Sequence, residues 1–351
     1  MNETRYTSVP DEEIAKLLDR VLAELSDEIA ALGLPHLRAV VLGGGYGRGE
    51  GGVLHTPSGS RLYNDLDFFV FSEGAGKSEA RRINDALKAV SERWEKKLGI
   101  AVDFGPAKNI SDLKKVSHTL MFQELLRGWK PVWGQADPEQ WIEPLEADRI
   151  PYSEAVRLLL NRGMGLVFAG NYLKEGKNDP DFILRNLNKA YLGGGDALLI
   201  SAGKYCWKGR ERTAAYREHI RSAGLPEKYA ALYDRAFQWK QEPETELPAD
   251  PLDSWRKCRD FYMDSVALCA GIEPGTETAA VIAGLRFRAR EERSLKNALR
   301  WHLRGGKMRP FATLFDPPVV SVLEMLYSLL AENADHPDLP ENLRYLWSVF
   351  N

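Results

Sequence analysis

Apolar residues recur along residues 11–33 at steps of three and four: Ile14, Leu17, Leu18, Val21, Leu22 and Leu25, with Gly33 after them. That spacing lays one apolar face along a helix and places a stop behind it. The pattern then shortens. Residues 38–43 (RAVVLG), 66–71 (LDFFVF) and 100–104 (IAVDF) are compact apolar runs, and each predicts a short strand. Between the last two, residues 77–98 predict a charged helix with Ile83, Leu87, Val90 and Trp94 on one face. Ser111 is placed to cap a helix over 112–126, and WKPVWG (129–134) predicts a last short strand. Together these make an α/β domain of about 135 residues, an ordinary domain size.

From Tyr152 onward the helical period dominates and strand signals nearly vanish. Helices are expected over 153–173, 181–203, 211–222, 226–240, 253–270, 277–303 and 317–332. QEPETELPADP (241–251), rich in proline and acid, reads as a linker or exposed loop. No repeat of fixed period is visible. The expected organisation is a first domain over 1–134 with its N-terminal helix, a junction over 135–151, and a helical domain over 152–351.

Composition narrows the class without naming a function. Of 351 residues, 44% are hydrophobic and 28% charged, as in soluble globular proteins. No apolar run approaches the roughly 20 residues that span a bilayer, so no membrane partner is expected. The opening MNETRYTSVPDEEIAKLL is polar and acidic, unlike a signal peptide. Cys206, Cys258 and Cys269 lack CxxC spacing and read as reduced thiols of a cytoplasmic protein. The six histidines are scattered without metal spacing, and a net charge of -3 argues against an overall polyanion binder.

Chemistry concentrates in residues 41–71, VLGGGYGRGEGGVLHTPSGSRLYNDLDFFVF. Glycines after a strand suggest a backbone cradle for phosphate. A P-loop is excluded, because no lysine follows the glycines. Gly47, Gly49 and Gly52 satisfy GxGxxG, but that motif must open a helix, and Gly52, Pro57 and Gly59 interrupt one. The third reading uses Asp65 and Asp67. On a strand, alternate side chains share a face, so both carboxylates point one way. Such a pair repels itself unless a cation sits between. Magnesium suits oxygen ligands shared with substrate phosphates. Asp103, on a neighbouring predicted strand, adds a third carboxylate and completes the outline of a two-metal phosphoryl- or nucleotidyl-transfer site.

These residues resemble the nucleotidyltransferase superfamily of the DNA polymerase β type. Gly44-Gly45-Tyr46-Gly47-Arg48-Gly49-Glu50 is similar to its GSxARGE turn, with Gly45 for Ser and Gly47 for Ala. Asp65-Leu66-Asp67 is similar to its DxD, and Asp103 to its third aspartate. LLRGWKPVWG resembles the closing strand of small bacterial members. The resemblance covers residues 38 to about 134. Asp65 lies 21 residues after Gly44, a longer gap than compact members show, and the excess reads as an extended hairpin loop. The implied fold class is α+β: a small mixed-sheet nucleotidyltransferase core, then a larger all-α domain.

The resemblance implies a Mg²⁺-dependent enzyme moving an NMP, AMP from ATP foremost, to a hydroxyl acceptor with release of pyrophosphate. Gly44 and Gly45 would cradle phosphates, and Asp65, Asp67 and Asp103 would hold two metal ions. Arg48 reads either as a phosphate ligand or as a partner for Glu50. In the helical domain, Lys189 and Lys204 are candidate cations for the triphosphate, with Lys208, Arg210 and Arg212 clustered near the latter. Residues 186–205 resemble a helix that antibiotic adenylyltransferases pack over the nucleotide. Asp196 reads as facing the active site or as sitting near a helix N-terminus. The basic run 286–309 reads as a contact for RNA or as an amphipathic helix burying Leu285, Leu295, Leu299 and Leu303. The acceptor is a small molecule or a protein ahead of RNA. A catalytically idle NTP-binding regulatory module and a Rossmann-type dinucleotide protein are the alternatives. The sequence does not indicate an oligomeric state.

Overall fold

The computed structural model describes residues 5–177, 179–304, 313–332 and 338–350. Residues 305–309 of the basic run lie outside them. The fold is α+β, and the chain forms two compact units. The first comprises residues 1–145 with 238–244, the second 146–237 with 245–351.

The first unit opens with α1 (Glu12–Ala31), whose N-cap Asp11 accepts from the Ile14 amide at 2.9 Å. Then come β1 (Leu37–Leu42), the single turn α2 (Gly44–Gly47), β2 (Val53–Thr56), β3 (Gly59–Leu62), β4 (Leu66–Ser72) and α3 (Lys77–Leu98). The unit continues with β5 (Val102–Phe104), β6 (Lys108–Asn109), α4 (Leu120–Leu126), β7 (Lys130–Gly134) and α5 (Pro138–Trp141). The main sheet runs β5-β4-β1-β7, with β6 also on β4. It is mixed: β4 pairs antiparallel with β1 and parallel with β5. The strands' two-residue period serves two cores. Val40, Leu42, Leu66, Phe68 and Val70 pack with buried residues of α1 and α3. Ala39, Val41 and Phe71 pack with Leu113, Phe122, Leu125 and Ile142.

The single helix expected over 112–126 is broken. A 3-10 segment, Ile110–Lys115, is capped by Asn109 rather than Ser111, and α4 starts only at Leu120. Ser117 and Thr119 donate their hydroxyls to the Lys114 and Val116 carbonyls at 3.1 and 2.9 Å. Such local bonds compete with the helical ladder and end it.

The second unit contains α6 (Tyr152–Lys174), α7 (Pro180–Ser201), α8 (Gly209–Ser222), α9 (Lys228–Gln241) and α10 (Pro251–Cys269). It then contains α11 (Thr278–Arg288), α12 (Leu295–Leu303), α13 (Pro318–Glu332) and α14 (Glu341–Phe350). The last residues of α9 belong to the first unit. Asp179 and Asp250 cap α7 and α10, each followed by proline in the first turn. Gly163 and Gly170 of α6 leave room for Tyr262 and Trp255 of α10.

The helix expected over 277–303 is instead α11, a 3-10 turn and α12, with Ser294 capping the last. Its expected apolar face is corrected accordingly. Leu285 is buried, whereas Leu295, Leu299 and Leu303 are 76%, 60% and 75% exposed. The break rotates α12 so that Trp301 faces inward, stacked on Phe350 with centroids 5.2 Å apart. Helix α14 had no counterpart in the sequence reading. Cys206, Cys258 and Cys269 are free thiols. No helix among the described residues is long and apolar enough to cross a membrane.

Candidate active site

The glycine turn begins where β1 ends. The Gly43 amide donates to the Asp67 carbonyl at 2.8 Å, so the turn is joined to β4 at the second carboxylate of the DxD. Gly44 has φ +59, and a Cβ there would overlap Asp67 Oδ2. Only glycine combines this backbone with so close an approach. Gly45 differs. A Cβ there meets nothing nearer than Glu50 O at 3.5 Å, so the serine of the resembling family fits. Gly47 does not match its alanine, because a Cβ would lie 2.5 Å from Leu42 O.

Asp67 and Asp103 are register partners on the parallel pair β4 and β5, and both are exposed. Asp65, half-buried, comes just before β4. The Asp103 carboxyl is held above its ordinary value, first by partial burial and then by the negative charges of Asp65 and Glu95. Asp65 and Asp103 therefore feel each other's charge across the end of the sheet. This crowding of oxygen donors fits a hard cation. Among the described residues no group of three or more His, Cys, Asp or Glu side chains is disposed to hold a metal by itself. Magnesium characteristically takes one or two carboxylates and completes its shell with water and substrate phosphate, and the donors present suit that mode.

Tyr46 builds the connection between turn and carboxylates. It is 1% exposed. Its hydroxyl donates to Gly52 O at 2.8 Å and accepts from the amides of Tyr63 and Asn64 at 2.9 and 3.3 Å. Asn64 Oδ1 in turn accepts from the Gly52 amide at 2.6 Å. Sequence reasoning missed both roles. Tyr46 stood at the variable position of the motif, and its aromatic bulk among glycines was the only signal. Arg48 reaches Glu50 at 3.4 Å and Glu124 at 3.1 Å, the second partner being invisible in the sequence.

After Gly52 the chain forms the β2–β3 hairpin, paired from Val53↔Leu62 to Thr56↔Gly59, and leads to Asp65. A dinucleotide-binding turn would open a helix here, so GxGxxG has the wrong context.

The structure thus brings Gly44, Gly45, Arg48, Asp65, Asp67 and Asp103 into one unit. Lys189, half-buried on α7, and Lys204, exposed beyond it, belong to the other. Asp196 is not near a helix N-terminus. It lies toward the C-terminal end of α7, accepts from Tyr233 Oη at 2.5 Å and stands 3.6 Å from Arg212 Nε. Arg212 is buried and also bonds Tyr205, so this pair ties helices together. Lys208 lies 3.7 Å from Glu211. Gly193, Gly194 and Gly195 are filled by Arg162, by Ser265 with Phe261, and by Tyr233, which makes them helix-packing positions.

No family model matches the chain, and neither a curated protein nor a solved structure matches it. The functional reading therefore stands on residues and geometry.

Proposed function

We propose that the chain is a Mg²⁺-dependent nucleotidyltransferase, moving an NMP, AMP from ATP foremost, to a hydroxyl acceptor with release of pyrophosphate. The observation that carries this reading is the closeness of the Asp67 carboxylate to Gly44, with Asp103 in register beside it. In the reaction the acceptor hydroxyl gives up its proton to solvent water and its oxygen bonds to the α-phosphorus. The bond from that phosphorus to the oxygen bridging to the β-phosphate breaks, and pyrophosphate leaves.

Asp65, Asp67 and Asp103 are the carboxylates that would offer oxygens to the metal, beside water and substrate phosphate. Bound there, magnesium supplies neutralisation of phosphate charge and a lower pKa for the attacking hydroxyl. Gly44 and Gly45 occupy the first turn of α2, where amides have no carbonyl partner within the helix and would face anionic oxygens. Tyr46 and Asn64 hold the turn and the carboxylates in one frame. A small molecule or a protein side chain is the preferred acceptor, since a net charge of -3 suits RNA poorly.

One observation favours a second reading, a regulatory module that binds NTP without turnover. Arg48, the cation of the motif, is engaged by Glu50 and Glu124. Incubation with Mg²⁺ and α-labelled NTPs across a panel of hydroxylated small molecules and proteins separates the two. The transferase releases pyrophosphate and labels an acceptor, and Asp67→Asn lowers the rate about 10²–10³-fold, the scale of losing a group that stabilises transition-state charge. Full activity in Asp67→Asn sinks the assignment, and binding without product supports the module.

A further inference from the structure

Residues 238–244 come from far along the chain yet belong to the first unit. They are the last turn of α9 and the residues after it. Trp239 stands edge-on to Tyr63, with ring centroids 5.5 Å apart and planes at 85°. Its indole N–H donates to Glu244 O at 3.0 Å, closing the segment on itself. The Lys240 carbonyl lies so near Gly52 that a side chain at position 52 would collide with it. Glu242 Oε1 is 3.9 Å from His55 Nε2 on β2.

The contacts with Tyr63, Gly52 and His55 all fall on the connection between the glycine turn and Asp65. Within it, the Tyr46 hydroxyl and the Asn64 amide oxygen hold residues 52, 63 and 64 together. Asp65 follows Asn64 directly. A shift of residues 63–64 against residue 52 therefore shifts Asp65 against the turn. The hydrogen bonds set this geometry from inside, and the segment 238–244 covers it from outside.

We infer that residues 238–244 form a strap over this connection and that Trp239 is a positioning residue for Asp65. For its ligand the inference rests on the nucleotidyltransferase reading; the hold of the strap on residues 52, 63 and 64 is measurable without it. Trp239 acts through Tyr63. Removing the indole lets residues 63–64 leave the competent position for part of the time, and apparent ligand affinity falls by that fraction.

The test uses the full chain as wild type, Trp239→Ala and Trp239→Phe, well below the melting temperature. Hydrogen exchange is followed at the amides of Gly52, Tyr63 and Asn64, and binding is titrated for Mg²⁺ with each of ATP, CTP, GTP and UTP. The strap predicts that Trp239→Ala speeds exchange at these amides about tenfold and leaves the amides of β1 and β4 protected. It also predicts that Mg²⁺–NTP affinity weakens about tenfold, and that Trp239→Phe restores both. Unchanged exchange at the three amides overturns the inference. So does faster exchange spread equally over β1 and β4, unchanged affinity in Trp239→Ala, or failure of Trp239→Phe to restore. If the wild type binds no Mg²⁺–NTP, the nucleotidyltransferase reading fails, and the exchange measurement still decides whether the strap holds residues 52, 63 and 64.

Discussion

At Gly44 the left-handed backbone and the Asp67 carboxylate occupy the space a side chain would need. Gly44→Ala is therefore expected to cost about 1–3 kcal/mol, the scale of a non-glycine residue forced into that region, and to displace Asp67. Gly45→Ser, one residue on, has room and should change stability by less than about 0.5 kcal/mol. Urea denaturation of the two variants checks the contrast, and equal losses would contradict it. The sequence showed the glycines and the acids and put them together through the DxD spacing. It did not separate Gly44 from Gly45 or Gly47, because a glycine letter does not say what its missing Cβ would meet. Nor did it reveal Glu124 as a partner of Arg48, since that contact depends on where α4 lies.

Helices and strands with a regular period were legible at the scale of the element. The expected span 77–98 is the observed α3, and α1, β1 and β4 lie within a residue or two of their expected bounds. Long spans failed where a polar residue chose a local hydrogen bond, at Ser117 and Thr119 and again at Ser294. Periodicity passes through such breaks, and the phase of α12 was lost with them.

Caps also carry pH dependence. The Asp11 carboxyl is pushed up by burial, but hydrogen bonds from the Ile14 amide, the Ser60 hydroxyl and the Glu13 amide, with the charge of His55, outweigh this and hold it below its ordinary value. A lowered folded-state pKa gives stability that is present above the unfolded carboxylate pKa, about 4, and lost as pH falls through the folded value. Asp11→Ala should cost about 1 kcal/mol at pH 7. Denaturation at pH 7, 5 and 3 should show the difference from wild type shrinking in acid, and a gap that stays constant to pH 3 would argue that charge plays no part.

For the whole molecule, the change of pattern near Tyr152 announced two parts, and the boundary by compactness falls between residues 145 and 146. The return of 238–244 to the first unit was not legible. Trp239 meets Tyr63 across a long stretch of chain, and no local spacing encodes such a contact. The proline- and acid-rich character of 241–251 read as linker, while its first residues cover a connection of the candidate site. The central claim is that glycine turn and aspartates bind a metal-bridged nucleotide, and it makes a demand on stability. A ligand that binds the folded chain raises the melting temperature, by about 2.7 kcal/mol of stabilisation at a concentration 100-fold above Kd. The most direct measurement is the melting temperature of wild type and Asp67→Asn with ATP, CTP, GTP, UTP or NAD, with and without Mg²⁺. The account predicts a rise with an NTP that needs both Mg²⁺ and Asp67. No Mg²⁺-dependent rise with any NTP, or an equal rise in Asp67→Asn, would contradict it.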